Sequence, residues 1–173
     1  TVAYLELLMV RDPTAPLPDA PMPPPYRLRV MRPEEEEAWV RVRNEAFREE
    51  RIANDPWSIE RFRREFVESS HAKDGRIFAV EHRGMVVGIV AAWILPYRNV
   101  EKVMVHWLGV LPEHRRQGLG QALVVEALKF HRAKGLRHAW LVTQSALPKA
   151  VRLYQKLSFT VEDKHVLYSR ALT

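Results

Sequence analysis

The stretch Gly109–Phe130 reads GVLPEHRRQGLGQALVVEALKF. From Leu119 onward Leu119, Leu123, Ala127 and Phe130 recur at helical spacing, so a helix with a broad apolar face is expected over Gly118–Ala133. Its start is unusual. Gly118 and Gly120 occupy the first turn, and Arg115 and Arg116 stand just ahead of them. A helix's first amides have no internal partner and carry partial positive charge, so anions are held there. Glycine lets a ligand approach the backbone, and the arginines can add charge-assisted hydrogen bonds. A plain tight turn would need one glycine; two glycines behind two arginines read as a pyrophosphate cradle. It is not a Walker loop, because no Gly-Lys-Ser/Thr follows, and not a dinucleotide fingerprint, because the third glycine's place holds Leu123.

The surroundings of the cradle are basic. Residues 1–100 carry 15 basic and 16 acidic side chains, net −1, whereas residues 101–173 carry 12 and 5, net +7; together these make the +6 of the whole chain. An anionic ligand is the sharp reading of that asymmetry and a solvated basic face the plain one. A nucleic-acid surface is disfavoured, since neither a helix-turn-helix nor interleaved aromatic and basic residues are present. The 173 residues suggest one folding unit, with 47% apolar residues to bury. With no cysteine there is neither a disulfide framework nor a thiolate metal site, and the histidines show no metal-ligand spacing. The longest apolar run, Met85–Leu95, spans 11 residues, against about 20 for a membrane-crossing helix. The opening TVAYLELLMVRD lacks a basic leader and a small-residue cleavage site. The expectation is a cytoplasmic protein with no membrane or nucleic-acid partner.

Working outward from the cradle, Val2–Val10 reads as a strand. Asp12–Pro25 holds seven of the twelve prolines and reads as an extended arm. Residues 1–25 are thus expected to form a strand and arm packed on a sheet edge, one route to a homodimer, with a domain proper over 26–173. Tyr26–Met31 alternates as a half-buried strand. Pro33 and Glu34–Glu37 open a helix to about Arg51. Asp55-Pro56-Trp57-Ser58 opens a second helix carrying Ile59, Phe62, Phe66 and Val67. Strands follow at Arg76–Glu81, Met85–Ile94 and Val100–Val110, then the cradle helix, a strand at His138–Thr143, a short helix at Pro148–Leu157 and one or two strands over Phe159–Tyr168. This is a mixed α/β (α+β) arrangement with a central meander.

At this point the residues resemble a family. Arg115-Arg116-Gln117-Gly118-Leu119-Gly120 fits the R/Q-x-x-G-x-G/A signature of the GNAT superfamily of N-acetyltransferases. Leu108-Gly109-Val110-Leu111-Pro112-Glu113 is similar to its strand-and-bulge lead-in, and Ala150–Phe159 to its second acetyl-CoA segment. The resemblance covers roughly Tyr26 to the end. It implies a mostly antiparallel sheet flanked by helices, in which the strands near Val110 and Thr143 splay apart around acetyl-CoA. It implies that backbone groups of Leu108 and Val110 face the pantetheine arm, and that Arg115, Arg116, Gln117, Gly118, Leu119, Gly120 and Gln121 form the pyrophosphate site. The sequence departs from the family at Arg116, Leu147 and Ser158, where glycine, asparagine and glycine are usual.

The implied activity is acetyl transfer from acetyl-CoA to a primary amine of a small molecule or protein, by direct attack in a ternary complex. Tyr154 is the candidate proton donor to the leaving thiolate, because a phenol stays protonated at neutral pH; packing beside Ala150, Leu153 and Leu157 is the alternative. The strand position that carries a glutamate in some members holds Val142. Glu101 and His106 are the candidate bases, against readings as a surface carboxylate and a core histidine. Trp57, Phe62, Phe66, Trp93, Tyr97 and Tyr168 are candidate walls of the acceptor site. The competing reading is a GNAT-like unit that binds acyl-CoA without turnover, or one half of a tandem protein.

Overall fold

The computed structural model describes residues 2–48, 55–69 and 75–169. The elements, in chain order, are β1 (Val2–Arg11), β2 (Tyr26–Val30), α1 (Glu36–Ala46), α2 (Ile59–Phe62), β3 (Ile77–His82), β4 (Met85–Tyr97), β5 (Val100–Val110), α3 (Leu119–Ala133), β6 (Trp140–Gln144), α4 (Pro148–Lys156) and β7 (Phe159–Ser169). Pro33–Glu35 forms a 3-10 turn ahead of α1. Here Pro33 fixes the backbone angle, and the Glu35 carboxylate accepts from the Arg32 amide at 2.8 Å. The helix ends at Ala46 rather than near Arg51, which lies outside the described residues. The Ser58 hydroxyl caps α2 by accepting from the Arg61 amide at 3.1 Å. The helix then widens into a π-turn over Arg63–Val67.

Seven strands form one sheet in the order β2-β3-β4-β5-β6-β1-β7. All neighbouring pairs are antiparallel except β5 with β6. Helix α1 covers β4 and β5 on one face; α3 covers β3, β4 and β5 on the other, and α4 lies on β6 and β7. Gly88 of β4 sets the spacing to α3, since a Cβ there would stand 3.2 Å from Leu123 Cδ1. On the opposite face the rings of Trp39, Trp57, Phe62 and Phe66, all buried, pack between 4.8 and 6.2 Å apart and join α1 to α2.

The first strand departs from expectation. β1 is an interior strand: Glu6–Val10 pair with Gln144–Trp140 on one side, and Val2–Arg11 pair with Ser169–Phe159 on the other. Both of its edges are satisfied within the chain, and that removes the reason to expect pairing with a sheet edge or a second copy. The proline-rich segment then leads from β1 across to β2 at the far side of the sheet. Arg11 anchors its beginning. Its guanidinium, 2% exposed, donates to the carbonyls of Leu157 at 2.9 Å, Ala15 at 3.2 Å and Pro16 at 2.9 Å. Leu17, Ala20 and Met22 pack on the core.

Candidate active site

The site begins where β5 and β6 part. One register pair, Met104 opposite Trp140, joins these parallel strands among the described residues, and β5 then runs on to Val110 while β6 runs on to Gln144. The far edges of both are occupied, β5 by β4 and β6 by β1. The facing edges beyond Met104 and Trp140 therefore carry main-chain donors and acceptors that the sheet does not use. The Leu111 amide donates to Val87 of β4 at 2.9 Å. Alternation along a strand turns the amide of Val110 the other way, toward the gap. Within the gap β5 bulges. Ile89 faces Gly109 and Ala91 faces His106, so Trp107 and Leu108 together oppose Val90. Trp107 takes a left-handed backbone, φ 49°. Such a conformation is costly for a bulky residue and is held here by packing: its ring lies 5.1 Å from Trp57 and 5.5 Å from Phe47.

At the top of the gap the chain turns into α3. Pro112–His114 makes a 3-10 turn, and Arg116 and Gly118 take left-handed angles, φ 63° and 78°. Glycine is the residue that takes this angle without strain, and a Cβ on Gly118 would meet nothing within 4 Å. The helical ladder begins with the Ala122 amide on the Gly118 carbonyl at 3.1 Å. The amides of Leu119, Gly120 and Gln121 precede it. Open space above a glycine, beside unpaired amides at the head of a 15-residue helix, fits a phosphate group. Arg116, Gln117 and Gly118 are exposed, Leu119 is buried, and Gly120 and Gln121 are half-buried. Arg115 turns away from the cradle. Its Nε donates to Val110 O at 3.2 Å and a terminal nitrogen to Ala46 O at 2.9 Å, tying the end of β5 to the end of α1. The turn is also tied to the opposite edge of the sheet, where the Tyr26 hydroxyl and His114 Nδ1 lie 2.8 Å apart.

Tyr154 lies on α4, 9% exposed, its ring 6.0 Å from Phe159. The preceding Leu153 reaches the head of α3: a Cβ on Gly120 would meet Leu153 Cδ2 at 3.4 Å. The structure thus sets α4 against the cradle helix. His106 sits just past the Met104–Trp140 pair, its ring 5.5 Å from Trp107 and 6.1 Å from Phe66. Burial pushes its imidazole down to about 4, so it is neutral at physiological pH. Glu101 is exposed and lies before that pair, five residues from His106 on the strand and outside the gap. Of the candidate acceptor walls, Trp57, Phe62, Phe66 and Trp93 are core residues, each at most 5% exposed. The Tyr168 side chain lies outside the described residues.

Tyr97 differs from these core rings in that its polar tip reaches a carboxylate. Its hydroxyl donates to Glu6 Oε1 at 2.9 Å. Burial, and next the Glu6 carboxylate, push it up, so it remains a donor at neutral pH. The β4–β5 hairpin crosses the face of β6, β1 and β7 here, with Lys102 Nζ 4.4 Å above the Trp140 ring. Sequence reasoning missed Glu6. A single carboxylate in an apolar strand carried no signal until β1 was seen to lie between β6 and β7. The described residues contain no group of three His, Asp or Glu side chains able to hold a metal ion, and none of their helices is long and apolar enough to cross a membrane.

A mixed sheet with two parallel strands splayed beside a glycine-started helix is the arrangement that the family resemblance implies. The model of the Acetyltransferase (GNAT) family matches residues 24–159, and the chain belongs to that family. It is 34% identical over 168 residues to a mycothiol acetyltransferase of Thermobispora bispora, covering 94% of this chain and 56% of that protein. It is 30% identical over 182 residues to a mycothiol acetyltransferase of Acidothermus cellulolyticus, covering 96% and 54%. The chain thus spans about half the length of these curated relatives. Among solved structures it resembles a GCN5-related N-acetyltransferase from Sphaerobacter thermophilus, with TM-score 0.75, 21% identity and coverage of 94% and 50%. It also resembles AAC(6')-Iy, solved in complex with the bisubstrate analog CoA-S-monomethyl-acetylneamine, with TM-score 0.63, 17% identity and coverage of 84% and 97%. These two likenesses are of fold.

Proposed function

We propose that the protein is an acetyl-CoA-dependent N-acetyltransferase that acetylates a primary amine by direct attack in a ternary complex. The observation that carries this reading is the gap that opens beyond Met104 and Trp140, roofed by the Gly118 helix start. Acetyl-CoA would supply an acyl group activated as a thioester. The chain's residues have three tasks around it. The amides of Gln117, Gly118, Leu119 and Gly120, with Arg116 and Gln121 beside them, hold the pyrophosphate, while main-chain groups of Leu108 and Val110 hold the pantetheine arm. An amide of the Trp107–Leu108 bulge donates to the oxygen on which negative charge develops. The Tyr154 hydroxyl gives its proton to the departing sulfur. His106, neutral and at the root of the gap, is better placed than Glu101 to accept the proton the amine loses. Being a weak base, it shares that task with solvent.

The relatives' names favour a small-molecule acceptor over a protein amine. The half-length match to them and Val142 in place of a carboxylate favour one second reading: a GNAT-like unit that binds acyl-CoA without turning it over, or one half of a tandem protein. Release of CoA thiol from acetyl-CoA in the presence of a panel of primary amines tests the first reading. CoA binding with no amine-dependent thiol release across the panel would select the second.

A further inference from the structure

We infer that Glu6, with Gln144 beside it and Tyr97 above it, forms the subsite that receives the positively charged amino group of the acceptor. The inference rests on the reading of this face as the acceptor side of an N-acetyltransferase. Glu6, Gln144 and His165 are abreast: Glu6 is the register partner of Gln144 on β6 and of His165 on β7. Directly opposed residues on antiparallel strands point to one face, with Cβ atoms about 5 Å apart. The three therefore form a polar row across three strands, and its β6 end lies at the edge of the gap beside β5.

One acceptor atom in that row lacks a donor. Glu6 Oε1 takes the Tyr97 hydroxyl. Gln144 Oε1 is buried and has no hydrogen-bond partner. A buried carbonyl oxygen left unpaired costs about 1–3 kcal/mol, and a site shaped for a donor-bearing ligand relieves that cost on binding. His165 Nε2 is already engaged, 2.9 Å from Asp163 Oδ2. Of the two cations of the β4–β5 hairpin, neither is an ion-pair partner of Glu6, although Arg98 acts on the Tyr97 hydroxyl. Lys102 stands over the Trp140 ring, and Arg98 stands 5.8 Å from the Tyr97 ring centre and acts on Asp163. A carboxylate and an amide oxygen side by side, flanked by an apolar floor of Val142 and Leu8, suit an alkylammonium: a point charge with three donors on an aliphatic stem. Tyr97 is the positioning residue that fixes the carboxylate. The carboxylate of the subsite belongs to β1, which precedes the 24–159 stretch that the family model matches, whereas Gln144 and Tyr97 lie within it.

The test is binding, separate from turnover. The full chain saturated with CoA is titrated with n-butylamine and with its neutral isostere n-butanol, followed by NMR shifts. Wild type is expected to prefer the ammonium. Glu6→Gln should reduce that preference about tenfold to a hundredfold, the range for a hydrogen bond to a charged group. Tyr97→Phe should reduce it less, and the distant exposed Glu60→Gln should leave it unchanged. CoA affinity and melting temperature of the variants serve as folding controls; if Glu6→Gln misfolds, the Tyr97→Phe preference decides. Equal preference in wild type and Glu6→Gln, or in wild type and Tyr97→Phe where that variant decides, overturns the inference. If no amine is acetylated while this preference holds, the failure lies with the proposed turnover and not with the subsite.

Discussion

The carbonyl of Met104 accepts a 2.9 Å hydrogen bond from Nε2 of His131, a fully buried histidine of α3. Met104 is also the residue at which β5 is still paired with β6. The cradle helix is thereby fastened to the root of the gap whose mouth it roofs. Because Nε2 donates, the neutral imidazole must leave Nδ1 bare, and that atom is buried without a partner.

This arrangement makes stability depend on pH. Burial lowers the titration of His131, and likewise that of His106 to about 4, from an ordinary value of 6.5. Between those values the unfolded chain binds protons that the folded chain does not, so stability is full above about pH 6.5 and falls as pH drops. Melting temperature measured from pH 8 to pH 5 should decline below about 6.5. In His131→Gln, whose amide can still donate to Met104, with His106→Gln the decline should be shallower. An unchanged slope in the double variant would refute the assignment.

Gly118→Asp should abolish most CoA affinity. The change adds a Cβ at φ 78° and a negative charge where the pyrophosphate is expected. Gly118→Asn tolerates the left-handed angle and adds no charge, so its loss should be smaller. Calorimetric titration with CoA reads both. Equal affinity in folded wild type and Gly118→Asp would remove the cradle from the site.

Tyr154→Phe separates chemistry from packing. The phenylalanine ring keeps the contact with Phe159, so the fold should hold. If the hydroxyl protonates the departing sulfur, kcat should fall by about 10²–10⁴ with CoA affinity nearly intact. A higher KM for acetyl-CoA at unchanged kcat would assign the hydroxyl to binding alone.

The N-terminal strand should be indispensable. Arg11→Met keeps most of the buried stem but strands the carbonyls of Leu157 and Pro16, while Ala15 keeps its bond from Arg132, so a loss of roughly 2–4 kcal/mol is expected, or roughly 5–15 °C in melting temperature. Deleting residues 1–11 bares facing edges of β6 and β7 and should give insoluble protein rather than a changed molar mass. A soluble deletion variant with wild-type melting temperature would contradict the interior placement.

Much of this was readable from local pattern. The alternation of Tyr26–Val30, the proline–glutamate start of α1 and the glycine start of α3 are set by residues within a few positions of one another. Backbone geometry and capping act at that range, and the cradle is built from one continuous stretch. The sequence by itself therefore determined the order of elements and the glycine start of α3. Only the tertiary structure decided where β1 sits, because an apolar ten-residue strand pairs equally well at an edge or in an interior, and the vacancy between β6 and β7 is made by residues 130 or more positions away. The same long-range closure turned Trp57, Phe62, Phe66 and Trp93 into core and drew Arg115 to carbonyls of α1 and β5. It also brought Glu6 beneath Tyr97, 91 residues away in the chain. Pairing at such separations is chosen by the closure of the whole sheet, which no local window of sequence contains.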